Sequence, residues 1–352
     1  MYMAKQKIVY IAEAFGGGVL TYLSELASGL VSNYDISILY GRRAQTPNNL
    51  SDYFPSQVHL YEIKNFTREL NPYKDFCAYL ELKSHLKKIN PDIVHLNSSK
   101  AGALGRLIKY QKNQKIFYTP HGYSFLMDNQ STVKSRLYLG IEKILGQLPA
   151  YTIAVGKEEY KQSLRVTRKS TYINNGVDTH LIDGITPNDS IDSDYIVTVG
   201  RIDTQKNPKF FNQLALSCPQ RKFLWIGDGP LKSELVAPNI KISGWMSHNQ
   251  VLAILKQTQI FLLLSRWEGL PISLLEAMYC RNLCIVSNVV GNRDVIKNGE
   301  TGIIVDDLEN LLRAINKGII EFKNIIDKAE NEILYEYNLK QMIIKYQHEY
   351  EN

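Results

Sequence analysis

Short apolar runs alternate along this chain with stretches whose apolar residues recur every three or four positions, and the rhythm is played twice. In the first half the runs predict strands at 8–12, 36–40, 58–63, 93–96, 116–119 and 152–155, with helical patterns at 19–30, 75–88, 101–110 and 133–148. A polar stretch rich in Asp, Ser, Asn and Thr follows at 178–194 and contains Pro187. The rhythm then restarts with strands at 195–199, 223–226, 260–264, 284–287 and 303–305. Continuous apolar strands separated by helices imply parallel sheets covered on both faces. The fold class expected is therefore α/β, with two doubly wound Rossmann-like domains. Their expected limits are 1–178 and 195–337, joined by a linker at 179–194. Residues 338–350 read as a last helix with no strand after it, so it caps its own domain or crosses back to the first. Ligands of such sheets bind beyond the carboxyl ends of the strands, and two facing domains would define a cleft.

Composition narrows the class. The chain has 352 residues, 44% hydrophobic and 22% charged, enough for two ordinary domains. Cys77, Cys218, Cys280 and Cys284 lack metal spacing and read as buried free thiols in a reducing compartment. No apolar run approaches a membrane span, and the N-terminus shows no signal-peptide cleavage pattern. A cytoplasmic or peripheral membrane location is expected. The net charge of +6 is unevenly placed: residues 1–180 hold 23 Lys/Arg against 14 Asp/Glu, a balance of +9 that leaves −3 for the rest. Arg106, Lys109, Lys112 and Lys115 recur every three residues, which would put them on one helix face. A solvated face is the plain expectation, and contact with an anionic membrane surface the functional one. No nucleic-acid module or stacking-aromatic pattern accompanies the charge, so nucleic acid is not an expected partner.

The most informative segment runs from Arg266 to Met278, where Glu268 and Glu276 flank Gly269-Leu270-Pro271-Ile272. The apolar run at 260–264 precedes it as a buried strand. Pro271 at the first helical position would open a helix whose free N–H groups and dipole favour an anion. Read this way, Glu268 stands ahead of the helix and Glu276 two turns inside it. A carboxylate on each side of a pyrophosphate suits a nucleotide-sugar; two ordinary surface glutamates are the alternative. Other strand ends carry matching chemistry. Gly16-Gly17-Gly18 follows the first strand and lets backbone approach a phosphate or sugar closely. It lacks the order of a dinucleotide fingerprint, so a nicotinamide cofactor is not expected. Arg201 and Lys206 follow the strand at 195–199 and are placed to neutralise a departing diphosphate. His121, in Pro120-His121-Gly122, could bond to a sugar hydroxyl or phosphate.

Together these pieces resemble the GT-B glycosyltransferases, specifically the large retaining group called family 4. The resemblance spans essentially the whole chain: Gly17-Gly18, Asp92-Ile93-Val94-His95, Pro120-His121-Gly122, Asn175-Gly176-Val177-Asp178, Gly200-Arg201 with Lys206-Asn207, Gly227-Asp228-Gly229-Pro230, Glu268-Gly269-Leu270-Pro271 with Glu276-Ala277, and Asn298-Gly299-Glu300-Thr301-Gly302. It implies that Arg201, Lys206 and the backbone of Gly269, Leu270, Pro271 and Ile272 hold the donor diphosphate. Glu268 would contact the donor hexose, Glu276 the ribose, and His121 the donor sugar. Gly17 and Gly18 would line the cleft, and the last helix would pack on the first domain. The chain departs from the family pattern at Gly291-Asn292-Arg293-Asp294, which has one glycine where two are usual, and at Gly156, where a serine is usual.

The chemistry follows from charge. Cleaving the anomeric bond builds negative charge on the leaving oxygen, which Arg201, Lys206 and the helix start meet without a metal. Asp192-Ser193-Asp194 has a metal-binding form but lies in the polar linker, so no metal site is expected. The resemblance implies front-face attack by the acceptor hydroxyl, with the departing phosphate as base and Glu268 as a hydroxyl holder rather than a nucleophile. No cofactor is expected beyond the donor, a nucleotide-sugar of the UDP type. The acceptor side is assigned to Asn97, Ser98, Lys100 and Tyr123, with an apolar tip in the loop 123–129, and the expected acceptor is a lipid-linked saccharide or glycan of bacterial surface polysaccharide. The alternatives are a nucleotide-sugar epimerase on the same fold, or a non-catalytic partner subunit that kept it.

Overall fold

The computed structural model describes residues 5–67, 69–127, 131–317 and 319–352. The chain divides into two compact units, Met1–Asn174 with Met342–Asn352, and Asn175–Gln341. Among the described residues the first unit holds a seven-stranded parallel sheet of β1 (Gln6–Ala12), β2 (Tyr34–Tyr40), β3 (His59–Glu62), β4 (Ile93–Asn97), β5 (Lys115–Thr119), β6 (Tyr151–Ala154) and β7 (Ser170–Tyr172). Their order is β3-β2-β1-β4-β5-β6-β7. The central strands are buried along nearly their whole length, which is why they read as unbroken apolar runs. Between them run α1 (Gly18–Leu30), α2 (Pro72–Ile89), α3 (Ser99–Arg106), α4 (Thr132–Leu145) and α5 (Lys157–Ser163). In α1 the buried residues, Leu20, Tyr22, Leu23, Leu26, Ala27 and Leu30, recur at helical spacing along one side.

The second unit begins with α6 (Thr179–Gly184) and repeats the plan. Its sheet holds β8 (Tyr195–Val199), β9 (Lys222–Ile226), β10 (Ile240–Ile242), β11 (Ile260–Leu263), β12 (Leu283–Ser287) and β13 (Ile303–Val305), ordered β10-β9-β8-β11-β12-β13. Helices α7 (Pro208–Ser217), α8 (His248–Gln257), α9 (Ile272–Tyr279), α10 (Val290–Val295), α11 (Leu308–Asn316) and α12 (Lys323–Glu336) complete it, and α13 (Leu339–Glu351) ends the chain. Trp225, Phe211 and Phe223 form the aromatic centre of its core. The stretch expected as a linker lies in this unit: Asp178 caps α6, Lys256 donates to the Ile182 carbonyl, and Asn188 N–H bonds to Ala253.

Residues 342–352 belong to the first unit. Met342, Tyr346 and Tyr350 on α13 are buried there, and Tyr350 Oη lies 2.6 Å from His95 Nδ1, whose Nε2 is 2.8 Å from Thr119 Oγ1. His95 is fully buried, and desolvation pushes its pKa down to about 3. The histidine of the Asp-Ile-Val-His motif is thus a core residue that secures the last helix.

Two expectations need correction. The basic residues from Arg106 to Lys115 do not share a helix face, because α3 ends at Arg106 and Lys115 opens β5. Arg106 points inward, pairing with Glu142 Oε2 at 2.8 Å and stacking 4.2 Å from the centre of the Tyr118 ring. Lys115 is spent on the carbonyls of Tyr350 and Glu351. The second correction concerns Pro271, which is the N-cap of α9, with ψ 115°, and not its first helical residue. Glu276 is then the fifth residue of the helix, roughly 6 Å along it and one turn in rather than two.

Candidate active site

Sheet order locates the sites before any side chain is considered. In each unit the strand order reverses once, between β1 and β4 in the first and between β8 and β11 in the second. Loops leaving the carboxyl ends of two such strands diverge and leave room for a ligand. In the second unit the loop after β8 carries Arg201, Gln205 and Lys206, and the loop after β11 carries Ser265, Glu268 and Gly269.

Those loops are joined. Lys206 Nζ lies 2.6 Å from Glu268 Oε1, with their side chains 15% and 7% exposed. Ser265 Oγ donates to the same oxygen at 2.6 Å, and Gln205 Nε2 to Oε2 at 3.3 Å. Backbone closes the arrangement, Arg266 N–H donating to Gln205 O at 2.8 Å. An ammonium has three protons to donate, so Lys206 can keep Glu268 and still meet a phosphate. Arg201 is half-buried and makes no side-chain hydrogen bond or ion pair among the described residues. The result is a cation fixed to the loop that runs into α9, whose start no side chain caps, and a second cation, Arg201, on the loop after β8.

Glycines permit the close packing that sets these loops. A Cβ on Gly227 would stand 2.1 Å from Gly200 O, one on Gly229 2.3 Å from Ile202 O, and one on Gly291 1.9 Å from Gly269 O. The Gly-Asp-Gly-Pro and Gly-Asn-Arg-Asp motifs therefore press neighbouring loops against the two that carry the charged groups. Asn175 adds a tie, its Nδ2 donating to Leu270 O at 2.9 Å. Asn298-Gly299-Glu300-Thr301-Gly302 forms a turn before β13, with Gly299 at φ +77°. Asp192 is paired with Lys222 and accepts from Asp194 N–H.

Glu276 sits apart from Glu268. It is 4% exposed, and its Oε1 lies 2.6 Å from Nε2 of His248, the first residue of α8. The sequence by itself assigns no role to His248, Gln205 or Ser265. Their signal was position alone: Gln205 precedes Lys206, Ser265 ends an apolar run, and His248 follows the helix cap Ser247.

In the first unit, Gly17 and Gly18 are exposed at the start of α1 with open space on their Cβ sides, and Gly17 has φ +55°. Glu13 and Arg43, also unremarked in the sequence, form a buried ion pair near the end of β1. His121 has φ +52°, a conformation uncommon outside glycine, and its Nε2 lies 3.0 Å from Asn97 Oδ1. Desolvation pushes its pKa down to about 3, so the ring is neutral near pH 7. Glu159 fixes the turn, accepting Gly122 N–H at 2.5 Å and Val155 N–H at 2.8 Å. Ser98, with φ +78°, precedes α3.

Three residues expected on the acceptor side have partners within the first unit. Asn97 is fully buried between His121 and the His95 carbonyl. Lys100 is paired with Asp75 at 2.7 Å. Tyr123 is 1% exposed, its hydroxyl bonded to Ser163 and its ring stacked on Phe125, so the loop tip packs on its own unit. Asp128 and Asn129 of that loop lie outside the described residues. Of the cysteines, Cys218 and Cys284 are buried while Cys77 and Cys280 are half-buried, all as free thiols.

Residues 16–181 match the family model described as Glycosyltransferase Family 4, and residues 187–337 that for Glycosyl transferases group 1. The chain is 28% identical over 330 residues to the UDP-Gal:alpha-D-GlcNAc-diphosphoundecaprenol alpha-1,3-galactosyltransferase of Escherichia coli, covering 84% of each. It is 26% identical over 347 residues to the O-antigen biosynthesis glycosyltransferase WbnH of the same species, covering 88% of this chain and 96% of that one. Sucrose-phosphate synthase from Thermosynechococcus elongatus superposes with a TM-score of 0.84 at 16% identity, over 99% of this chain and 98% of that one. Anabaena HepE in complex with UDP-glucose gives 0.77 at 14%, over 97% and 98%. At such identities the superpositions speak for the fold alone, which is the GT-B fold. With both halves matched in order, the chain belongs to the family 4 type of GT-B glycosyltransferases and is an enzyme of sugar transfer.

Proposed function

We propose that this glycosyltransferase moves a hexose from a UDP-sugar to a lipid-linked or glycan acceptor in the assembly of a bacterial surface polysaccharide. The observation that carries the donor half is the linked set Lys206, Glu268, Ser265 and Gln205 at the switch point of the second sheet, with Arg201 on the same loop as Lys206 and without a side-chain partner among the described residues. Arg201, Lys206 and the backbone from Gly269 to Ile272 take the diphosphate and stabilise charge on the leaving oxygen without a metal. Glu276 takes the ribose and Glu268 the hexose. The three donors on Glu268 suit a hydroxyl holder better than a nucleophile, which supports front-face attack with retention, the departing phosphate accepting the proton. The uridine donor and the lipid-linked acceptor are supported by the likeness to relatives such as the diphosphoundecaprenol galactosyltransferase.

A peripheral position at the cytoplasmic face of the membrane fits that acceptor. Among the described residues no helix is long and apolar enough to cross a membrane. With the Arg106–Lys115 stripe set aside, the support comes from α4. Val133, Leu137, Ile141 and Ile144 are 77%, 59%, 40% and 69% exposed on one face of it. At 100° per residue, Lys134 flanks that face on one side and Arg136 and Lys143 on the other, as in helices that lie on anionic bilayers.

A panel of UDP-, GDP- and dTDP-sugars tests the donor. Slow release of nucleoside diphosphate from a UDP-sugar supports the proposal; conversion of the sugar with its nucleotide still attached would make the protein an epimerase. In sedimentation with phosphatidylglycerol vesicles the protein is expected to bind, to be released by salt, and to lose binding in Leu137→Glu. Retention of vesicle binding in that variant would rule out α4 as the contact.

A further inference from the structure

Glu276 is a buried residue whose carboxylate has one oxygen held by the protein and one left over. Its residue is 4% exposed, yet His248 Nε2 on Oε1 is its one hydrogen bond among the described residues, and Oε2 makes none. Oε2 is not among the buried atoms that lack a partner, so this oxygen of an otherwise buried side chain is open to donors that arrive from outside. Glu268 is the contrast: two side chains and an ammonium already occupy it.

The contact with His248 is specific and rigidly held. His248 is the first residue of α8, directly after a full capping box in which Ser247 Oγ accepts Gln250 N–H and Gln250 Oε1 accepts Ser247 N–H. That box fixes the backbone from which the imidazole projects. The ring is largely buried, at 26% side-chain exposure, and helices α8 and α9 pack together. Because a carboxylate oxygen only accepts, Nε2 carries the proton. One carboxylate oxygen is therefore held by the protein, and the carboxylate plane is set by that bond.

We propose that His248 is a positioning residue of the donor's ribose subsite: by holding Oε1 of Glu276 it presents Oε2 to the vicinal hydroxyls of the nucleotide. The inference rests on the assignment of Glu276 to the ribose. Without the imidazole the carboxylate turns freely, and the diol loses an oriented acceptor. Glutamine at 248 can restore a donor to Oε1.

The test is a cycle between the side chain and the hydroxyls it is said to serve. Calorimetry measures binding of UDP and of 2′,3′-dideoxy-UDP to the full chain, unaltered and as His248→Ala and His248→Gln, with melting temperatures as a check on folding. His248→Ala is expected to weaken UDP about tenfold or more. Its affinity for the dideoxy nucleotide is expected to stay within about twofold, since one lost charge-assisted contact carries the difference. His248→Gln is expected to recover most of the loss. If His248→Ala weakens both nucleotides equally, or neither, His248 does not act through the ribose and the proposal falls. If the unaltered protein binds both nucleotides equally, the ribose assignment of Glu276 itself fails, and the proposal with it.

Discussion

Histidines do different work at three places in this chain, and burial decides which. His95 sits in the core of the first unit between Tyr350 and Thr119, with its pKa pushed down to about 3. The unfolded chain binds the proton better, so this group's contribution is complete above about pH 6.5 and is lost as pH falls toward 3, at roughly 1.4 kcal/mol per unit. Urea titrations between about pH 5 and 7 should show stability falling with acidity, and His95→Gln should lower that slope, leaving the share of His121; an unchanged slope would mean that His95 does not contribute to it. His121 is likewise neutral, and the Asn97 carbonyl oxygen fixes its proton on Nε2, since Asn97 Nδ2 is bonded to the His95 carbonyl. That assignment leaves Nδ1 as an acceptor for a hydroxyl. The pairing of His248 with Glu276 is not legible in the sequence, because the two lie 28 positions apart and only folding brings them together.

At the scale of elements, the apolar runs were legible wherever a strand is buried on both faces. β7 and β10 escaped notice because each is a three-residue edge strand with a polar or charged residue in it. The cationic repeat from Arg106 misled for a related reason. Charge alone carries no period that packing enforces, and α3 stops where Arg106 turns inward to Glu142. Glycine was more informative, since Gly291 marks where α10 bears on the loop that carries Glu268. Gly291→Ala puts a methyl 1.9 Å from Gly269 O, against backbone that cannot swing aside. It is expected to cost about 1–3 kcal/mol in denaturant titration and to raise the donor KM; a variant as stable as the parent with an unchanged donor KM would refute the contact.

For the whole molecule, two βα arrays and the chemistry at their strand ends were readable from the chain, and the sheet orders turn those ends into two switch points. The return of α13 to the first unit was foreseen from the family pattern; its anchor, Tyr350 on His95, was not, since nothing local in the sequence announces it. The central claim is that the loops after β8 and β11 form a diphosphate site that needs no metal. Turnover of the UDP-sugar chosen by the panel, for the unaltered enzyme, Arg201→Ala and Lys206→Ala, tests it most directly. Among the described residues Arg201 has no side-chain hydrogen bond or ion pair to lose, so a defect there is not the loss of one. The account predicts that each substitution lowers turnover by about 10²–10³ with the melting transition preserved, and that EDTA leaves the unaltered enzyme active. Near-normal turnover in either variant, or full inhibition by EDTA reversed by added metal, would contradict it.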